Sequence, residues 1–270
     1  DCRMFFNIKP PSSTFICGAQ GSGKSHTLSC ILENCLITSK AGNLSSPLTG
    51  LVFHYDAFIS DRAGSPCEAA FLSSHDDVEM RVLCSPTNLH TIKIFNVCLT
   101  FFLEQAPETA RVVGLDEAHK YMNASIEARK FTDTLLSAVR LQRHLGIRMI
   151  ISTQEPTISA TLLSLCFTTI FHRFMSPDWL KVLHRHLAGA AEEPHRSDPD
   201  DPSVQAHVSL LNQILDLQVG EALLFSPSAI IKASASEDGD LKFHRLGAEP
   251  LRIRVRHRIT SDGGQTVLSL

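Results

Sequence analysis

The chain lacks an apolar run long enough to cross a bilayer. Its longest such stretch, Ile94 to Leu103, is interrupted by Asn96, and a spanning helix needs about 20 apolar residues. A signal-peptide pattern is also lacking. An intracellular protein, cytoplasmic or nuclear, with no membrane partner is therefore expected. There is no strong excess of either charge. The 25 Lys and Arg stand against 28 Asp and Glu, a net charge of −3. No chain-wide footprint for nucleic acid exists, and any basic surface must be local. The eight cysteines include no C-x-x-C pair. This argues against a stapled framework and for buried, reduced thiols. No internal repeat is visible. What remains is 270 residues that are 43% hydrophobic, enough for one large α/β domain or a domain with an appendage.

Short apolar runs alternate with helical patterns. Strands are predicted at 14–17, 51–55, 80–84, 111–115, 148–152 and 221–225. Helices are predicted at 24–37, 87–105, 128–145 and 204–217. Alternation of this kind predicts a doubly wound, mainly parallel sheet. The nearly continuous apolar runs suit strands covered on both faces. At Gly189 the composition turns acidic and Pro-rich, so 189–203 is predicted to be a flexible loop. Residues 234–240, "SASEDGD", read as a second loop. The expected division is a core over 1–188, the acidic loop, and a C-terminal part over 204–270 that completes or extends the core as a β extension.

Gly18-Ala19-Gln20-Gly21-Ser22-Gly23-Lys24-Ser25 matches G-x-x-x-x-G-K-[ST] in full, between a predicted strand and a predicted helix. The glycines let amide N–H groups curl around phosphate oxygens, and the helix N-terminus adds positive potential. Lys24 is placed to reach the β- and γ-phosphates, and the Ser25 hydroxyl to ligate Mg²⁺. Gly18, Gln20, Gly21, Ser22, Gly23, Lys24, Ser25 and His26 are the expected nucleotide-binding residues. Average residue usage gives such a match by chance in about one chain in a hundred of this length.

A phosphate loop needs a carboxylate on the metal side. Asp116, ending the strand of "VVGLDEAHKYM", is the expected Mg²⁺ residue through the ion's water shell. Glu117 beside it can polarise the attacking water. His119 reads as a positioning or packing residue. Ser152-Thr153-Gln154 ends the next strand, and an amide there can touch both γ-phosphate and water. The expected cofactors are thus ATP and Mg²⁺.

Taken together, "GAQGSGKSHTL", "VVGLDEAHKYM", "RLQRHLGIRMIISTQEP" and "TTIFHRF" resemble the HerA/FtsK family of ring-forming P-loop ATPases. The likeness runs from about residue 14 to 187 and continues weakly through "VGEALLFSP". It implies a RecA-like fold of the ASCE class, with Gln154 as sensor. It also implies an arginine finger that serves the neighbouring subunit's ATP; Arg143 best matches that place and Arg140 is the alternative. Members of the family are commonly hexameric DNA translocases. Three departures stand out: no N-terminal β-barrel before the loop, a short stretch from Cys84 to Arg111, and an acidic loop without an assignable role. The cysteine- and loop-rich character suggests a eukaryotic, fungal-type member. A DEAH helicase is not expected: "LQRHLGIR" (141–148), which faintly imitates that class's arginine motif, precedes Ser152-Thr153-Gln154 instead of lying far downstream, and few residues remain for a second domain. The N-K-x-D motif of GTPases and the L-S-G-G-Q of transporters are missing.

Two functions stay open: an ATP-hydrolysing ring motor acting on DNA, and a nucleotide-dependent binding switch with slow or lost hydrolysis. His172, His184, His186 and His195 read as surface histidines, and Trp179 as packing after a helix start at Ser176. Cys67 shows no His partner in the sequence. In "LRIRVRHRI", Arg252, Arg254, Arg256 and Arg258 are expected on one strand face. That face is either a solvated surface answered by Glu237, Asp238 and Asp240, or a subunit or nucleic-acid contact.

Overall fold

The computed structural model describes residues 3–39, 44, 46–55, 67–83, 91–105, 110–156, 158–188, 202–235 and 241–261. Five strands run parallel: β1 (Ser12–Cys17), β2 (Thr49–Phe53), β3 (Arg111–Leu115), β4 (Ile147–Thr153) and β5 (Thr168–Phe171). Two more, β6 (Glu221–Phe225) and β9 (Leu251–Arg254), add antiparallel at the edge beside β5. The sheet order is β2-β3-β4-β1-β5-β6-β9. A separate two-stranded sheet pairs β7 (Ile230–Ala235) with β8 (Leu241–Arg245).

The inner strands β1, β3, β4 and β5 are buried on both faces, because both sets of alternating side chains are mostly apolar. Phe15, Cys17, Val113, Leu115, Met149, Ile151 and Phe171 point to one core. There they meet Leu99 of α2 (Thr91–Glu104), Phe131 and Leu135 of α3 (Ile126–Arg140), and Leu162 of α5 (Ala160–Ser164). Leu180 and Leu183 of α6 (Pro177–Ala188) and Ile214 of α7 (Pro202–Leu215) close the same side. Ile16, Val112, Ile150, Ile170 and Leu224 point to the other core, under Leu28, Ile31 and Leu32 of α1 (Lys24–Leu36) and Leu72 of a 3₁₀ turn at Glu68–Ser74. The doubly wound, mainly parallel sheet is therefore present.

Several elements differ from the expectation. Met80–Leu83 form no strand; Val82 and Leu83 lie exposed, so apolar content alone misled there. The helix expected at 128–145 starts two residues earlier, at Ile126, and breaks at Leu141, leaving the short α4 (Gln142–Leu145). Gly146, at φ 62°, ends α4. Ser234 and Ala235 belong to β7 rather than to a loop. Residues 189–201 and 236–240 lie outside the described residues. So do Glu237, Asp238 and Asp240, the acids expected to answer the arginine tail.

The tail is not one arginine face. Strand β9 ends at Arg254, and only Arg252 and Arg254 share a side. Both reach Glu221, at 2.6 and 3.3 Å, and Arg252 also pairs with Asp216 at 2.9 Å. The Arg252 hydrogen bond, with others, holds the Glu221 pKa down at about 2. Beyond β9 the chain turns across α1. Arg256 binds Glu33 at 2.7 Å, the Asn34 side chain and the Cys30 carbonyl. Arg258, almost fully buried, pairs with Glu68. Glu33 is itself fully buried and accepts bonds from the Ile259 and Thr260 amides and the Thr260 hydroxyl. Acids within the chain answer all four arginines.

Removing one partner from a buried charge network leaves the others unpaired. Glu33→Ala should cost about 3–5 kcal/mol, read as a lower urea midpoint with an unchanged slope. Glu33→Gln, which keeps the shape and part of the hydrogen bonding, should cost less.

Candidate active site

All the polar strand ends gather at one edge of the parallel sheet. Strand β1 delivers the loop Gly18–Gly23. Gly21 and Gly23 take φ of 72° and 105°, a region that side chains disfavour. Gly18 is needed for a different reason: a Cβ there would lie 2.6 Å from the His172 Cβ and 2.7 Å from the Ser22 Oγ. The Ser22 hydroxyl donates to the Ala19 carbonyl at 2.7 Å. Lys24 is buried and donates from Nζ to the same carbonyl at 3.0 Å. Burial pushes its pKa down, against the pull of Glu117, Cys17 and Asp116.

Strand β4 lies between β1 and β3. Its end therefore sits between the phosphate loop and the acids. Asp116, also buried, places Oδ1 3.5 Å from the Ser25 hydroxyl. Glu117 is the one non-glycine among the described residues with a positive φ, 53°. Such a conformation costs free energy and marks sites where a side chain must be aimed. Its Oε2 accepts from the Gln154 amide at 3.0 Å and lies 3.6 Å from His119 Nε2. His119 Nδ1 faces the Gln154 backbone N–H and the Thr153 hydroxyl, both at 3.4 Å. Burial lowers the His119 pKa. The ring is a brace between the end of β4 and Glu117.

Two expected residues are not brought to this cluster. The His26 ring donates to the Arg256 carbonyl at 2.9 Å, so the tail takes its side chain and only its backbone faces the helix start. Arg143 is exposed on α4, before the first residue of β4. A seven-residue strand spans about 20 Å at ~3.3 Å per residue, so Arg143 lies at the far end of the sheet from its own loop. Arg140 ends α3 at the same edge. Gln20 and Ser22 lie within the Gly18–Gly23 loop.

The sequence reading missed three neighbours. His172 is fully buried, not a surface residue. It follows β5 beside the loop; its Nδ1 meets the Glu221 carbonyl at 3.0 Å and its Nε2 meets the Thr27 hydroxyl at 2.8 Å. His184, His186 and His195 have side chains outside the described residues. His54, just beyond β2, donates to Asp116 Oδ2 at 3.0 Å. Burial opposes the charge on His54, but hydrogen bonds to Asp116 and Cys67 outweigh it and raise the pKa to about 10. Cys67 therefore does have a His partner. The sequence holds no local signal for this pair: His54 meets Asp116 because β2 lies beside β3 in the sheet. Trp179 packs on Phe174, with ring centroids 5.9 Å apart.

No protein-family model and no curated protein matches the chain. Solved structures do. The chain is similar to B204, the DNA-packaging ATPase from Sulfolobus Turreted Icosahedral Virus, with a TM-score of 0.51 and 16% identity, covering 88% of this chain and 98% of that one. It is similar also to the genome packaging NTPase B204 from Sulfolobus turreted icosahedral virus 2, solved in complex with sulfate. There the TM-score is 0.50 and the identity 12%, over 87% of this chain and 97% of that one. The fold is that of a P-loop NTPase. At such identity the likeness speaks for the fold, and the site must be argued from its own residues.

Burial pushes the His172 pKa down to about 4. Between that value and the ordinary 6.5, the unfolded chain takes up a proton that the folded chain refuses. The stability from neutral His172 is complete above about pH 6.5 and is lost as pH falls toward 4. Melting temperature should drop across this window more steeply for the wild type than for His172→Gln. The difference should amount to at most about 1.4 kcal/mol per pH unit, the value for one proton.

Proposed function

We propose that the chain binds MgATP at the C-terminal ends of β1, β3 and β4, hydrolyses it, and works as a HerA/FtsK-like ring motor on DNA. One observation carries the reading. Separate segments bring Lys24, Ser25, Asp116, Glu117 and Gln154 to one edge, with the polar amide between the cation and the acids. An ordinary acidic turn does not need a strained Glu117, and a solvated lysine does not need burial at a glycine loop.

The roles follow from the geometry. Amide N–H groups of Gly21 to Ser25 surround phosphate oxygens, and Lys24 exchanges the Ala19 carbonyl for a phosphate. Ser25 and Asp116, whose oxygens lie together, fit an Mg²⁺ ion, Asp116 through its water shell. When bound, the ion neutralises phosphate charge. Glu117 takes a proton from water as the water oxygen attacks the γ-phosphorus. The bond to the β–γ bridging oxygen breaks, and ADP and inorganic phosphate leave. Gln154, now holding Glu117, can turn to the γ-phosphate and so release the base only when nucleotide is present.

Arg143 cannot reach its own site, so its family role requires a second copy. That supports an oligomer, with a hexamer as the expected size. DNA as the polymer is inferred from the packaging proteins of like fold. A second reading is a binding switch with slow hydrolysis. It draws support from the Gln154 bond to Glu117, which keeps the base engaged.

Steady turnover separates the two readings. Glu117→Gln should bind ATP while its hydrolysis falls roughly 10²–10⁴-fold, the range for losing a general base. Normal turnover in that variant would overturn Glu117 as the base, and none in the wild type would overturn the hydrolysis reading. Arg143→Ala should also bind but turn over poorly. Mixing it with Glu117→Gln should restore some activity at interfaces where an intact Arg143 meets an intact Glu117. An absence of rescue, with a monomer persisting in ATP, would reject the ring.

A further inference from the structure

We propose that His54, Cys67 and Asp116 form a site for a thiophilic divalent ion of the Zn²⁺ class, in competition with Mg²⁺ for Asp116. The three residues come from separate places: the loop after β2, the start of the 3₁₀ turn at Glu68–Ser74, and the end of β3. Their donor atoms converge. His54 Nδ1 and Cys67 Sγ lie 3.0 and 3.9 Å from Asp116 Oδ2, and the three ligand atoms lie within 4.8 Å of one another.

Those separations suit coordination. Zn–N, Zn–O and Zn–S bonds near 2.0–2.3 Å place tetrahedral ligands about 3.3–3.8 Å apart. Shifts under about 1 Å would seat an ion at that bond length. The donor set selects the metal: a thiol, an imidazole and a carboxylate favour Zn²⁺, whereas Mg²⁺ takes oxygens. Asp116 is buried, while His54 and Cys67 are only partly so, and a water can complete a tetrahedral set as fourth ligand. On binding, the Cys67 thiol and His54 Nδ1 release their protons to solvent, and the two negative ligands balance the ion's charge.

The two oxygens of Asp116 face different neighbours, Oδ1 toward Ser25 and Oδ2 toward His54 and Cys67. A soft ion on Oδ2 would draw the carboxylate and its charge away from Ser25. Metal binding stands on the geometry alone; the resulting inhibition rests on the proposed role of Asp116 toward MgATP.

The test uses the full chain, reduced and metal-free, titrated with Co²⁺ as a spectroscopic stand-in and then with Zn²⁺. One Co²⁺ per chain should bind with a thiolate-to-metal charge-transfer band, and Zn²⁺ should displace it. Cys67→Ser should lose the band, and His54→Gln should weaken Zn²⁺ binding at least tenfold. ATP turnover in excess Mg²⁺ should fall on adding Zn²⁺, with at least tenfold lower sensitivity in Cys67→Ser. A wild type without the band, or a band and affinity unchanged in both variants, would overturn the site. Wild-type binding as expected, with no turnover under any condition, would leave the site standing and remove the hydrolysis reading instead.

Discussion

The structure depends on the insertion of β4 between β1 and β3. Parallel strands deliver their C-terminal ends to one edge, so the neighbours in the sheet decide which polar groups can meet. With β4 in the middle, Gln154 stands between Lys24 and Glu117, and bonds Glu117 at 3.0 Å. Swapping β4 with β3 would put the acids against the loop and leave the amide outside. The aliphatic faces of β1, β3 and β4 hold that order by burying both sides of the sheet, which fixes each register. Precision at the polar edge thus rests on apolar packing well below it.

A second constraint acts from the chain's other end. The segment after β9 crosses α1, the helix that begins at Lys24, and anchors on Glu33. Arg256 joins that acid to the Asn34 side chain and the Cys30 carbonyl, and its own carbonyl receives the His26 ring. The far strand of the sheet is tied by this route to the helix whose first turn carries Lys24 and Ser25. The buried Glu33 favours the arrangement that keeps its partners, because losing one leaves its charge unpaired away from water.

Local signals were legible in the sequence and long-range ones were not. The loop Gly18–Ser25 was visible because its backbone demands glycine at set positions, and the apolar runs of β1, β3 and β4 because burial on both faces leaves little choice of residue. Met80–Cys84 has the same apolar look, yet Met80–Leu83 form no strand, since a run of five carries no information about a pairing partner. The regular arginine spacing suggested a strand to Ile259, but the buried Glu33 redirected the chain after Arg254. His172 and His54 were out of reach because each acts through residues distant in sequence, Glu221 and Thr27 for one and Asp116 for the other. Nothing in the sequence order announced that the strand carrying His54 would lie beside the strand carrying Asp116.

We propose that this edge of the sheet holds a nucleoside triphosphate, with Lys24 as its cation. Calorimetric titration of ATP into the wild type and into Lys24→Ala, with and without Mg²⁺, tests it most directly. Saturable, Mg²⁺-strengthened binding is expected in the wild type, with at least about a tenfold loss in the variant. Equal affinity in the two proteins, or binding indifferent to Mg²⁺, would contradict it.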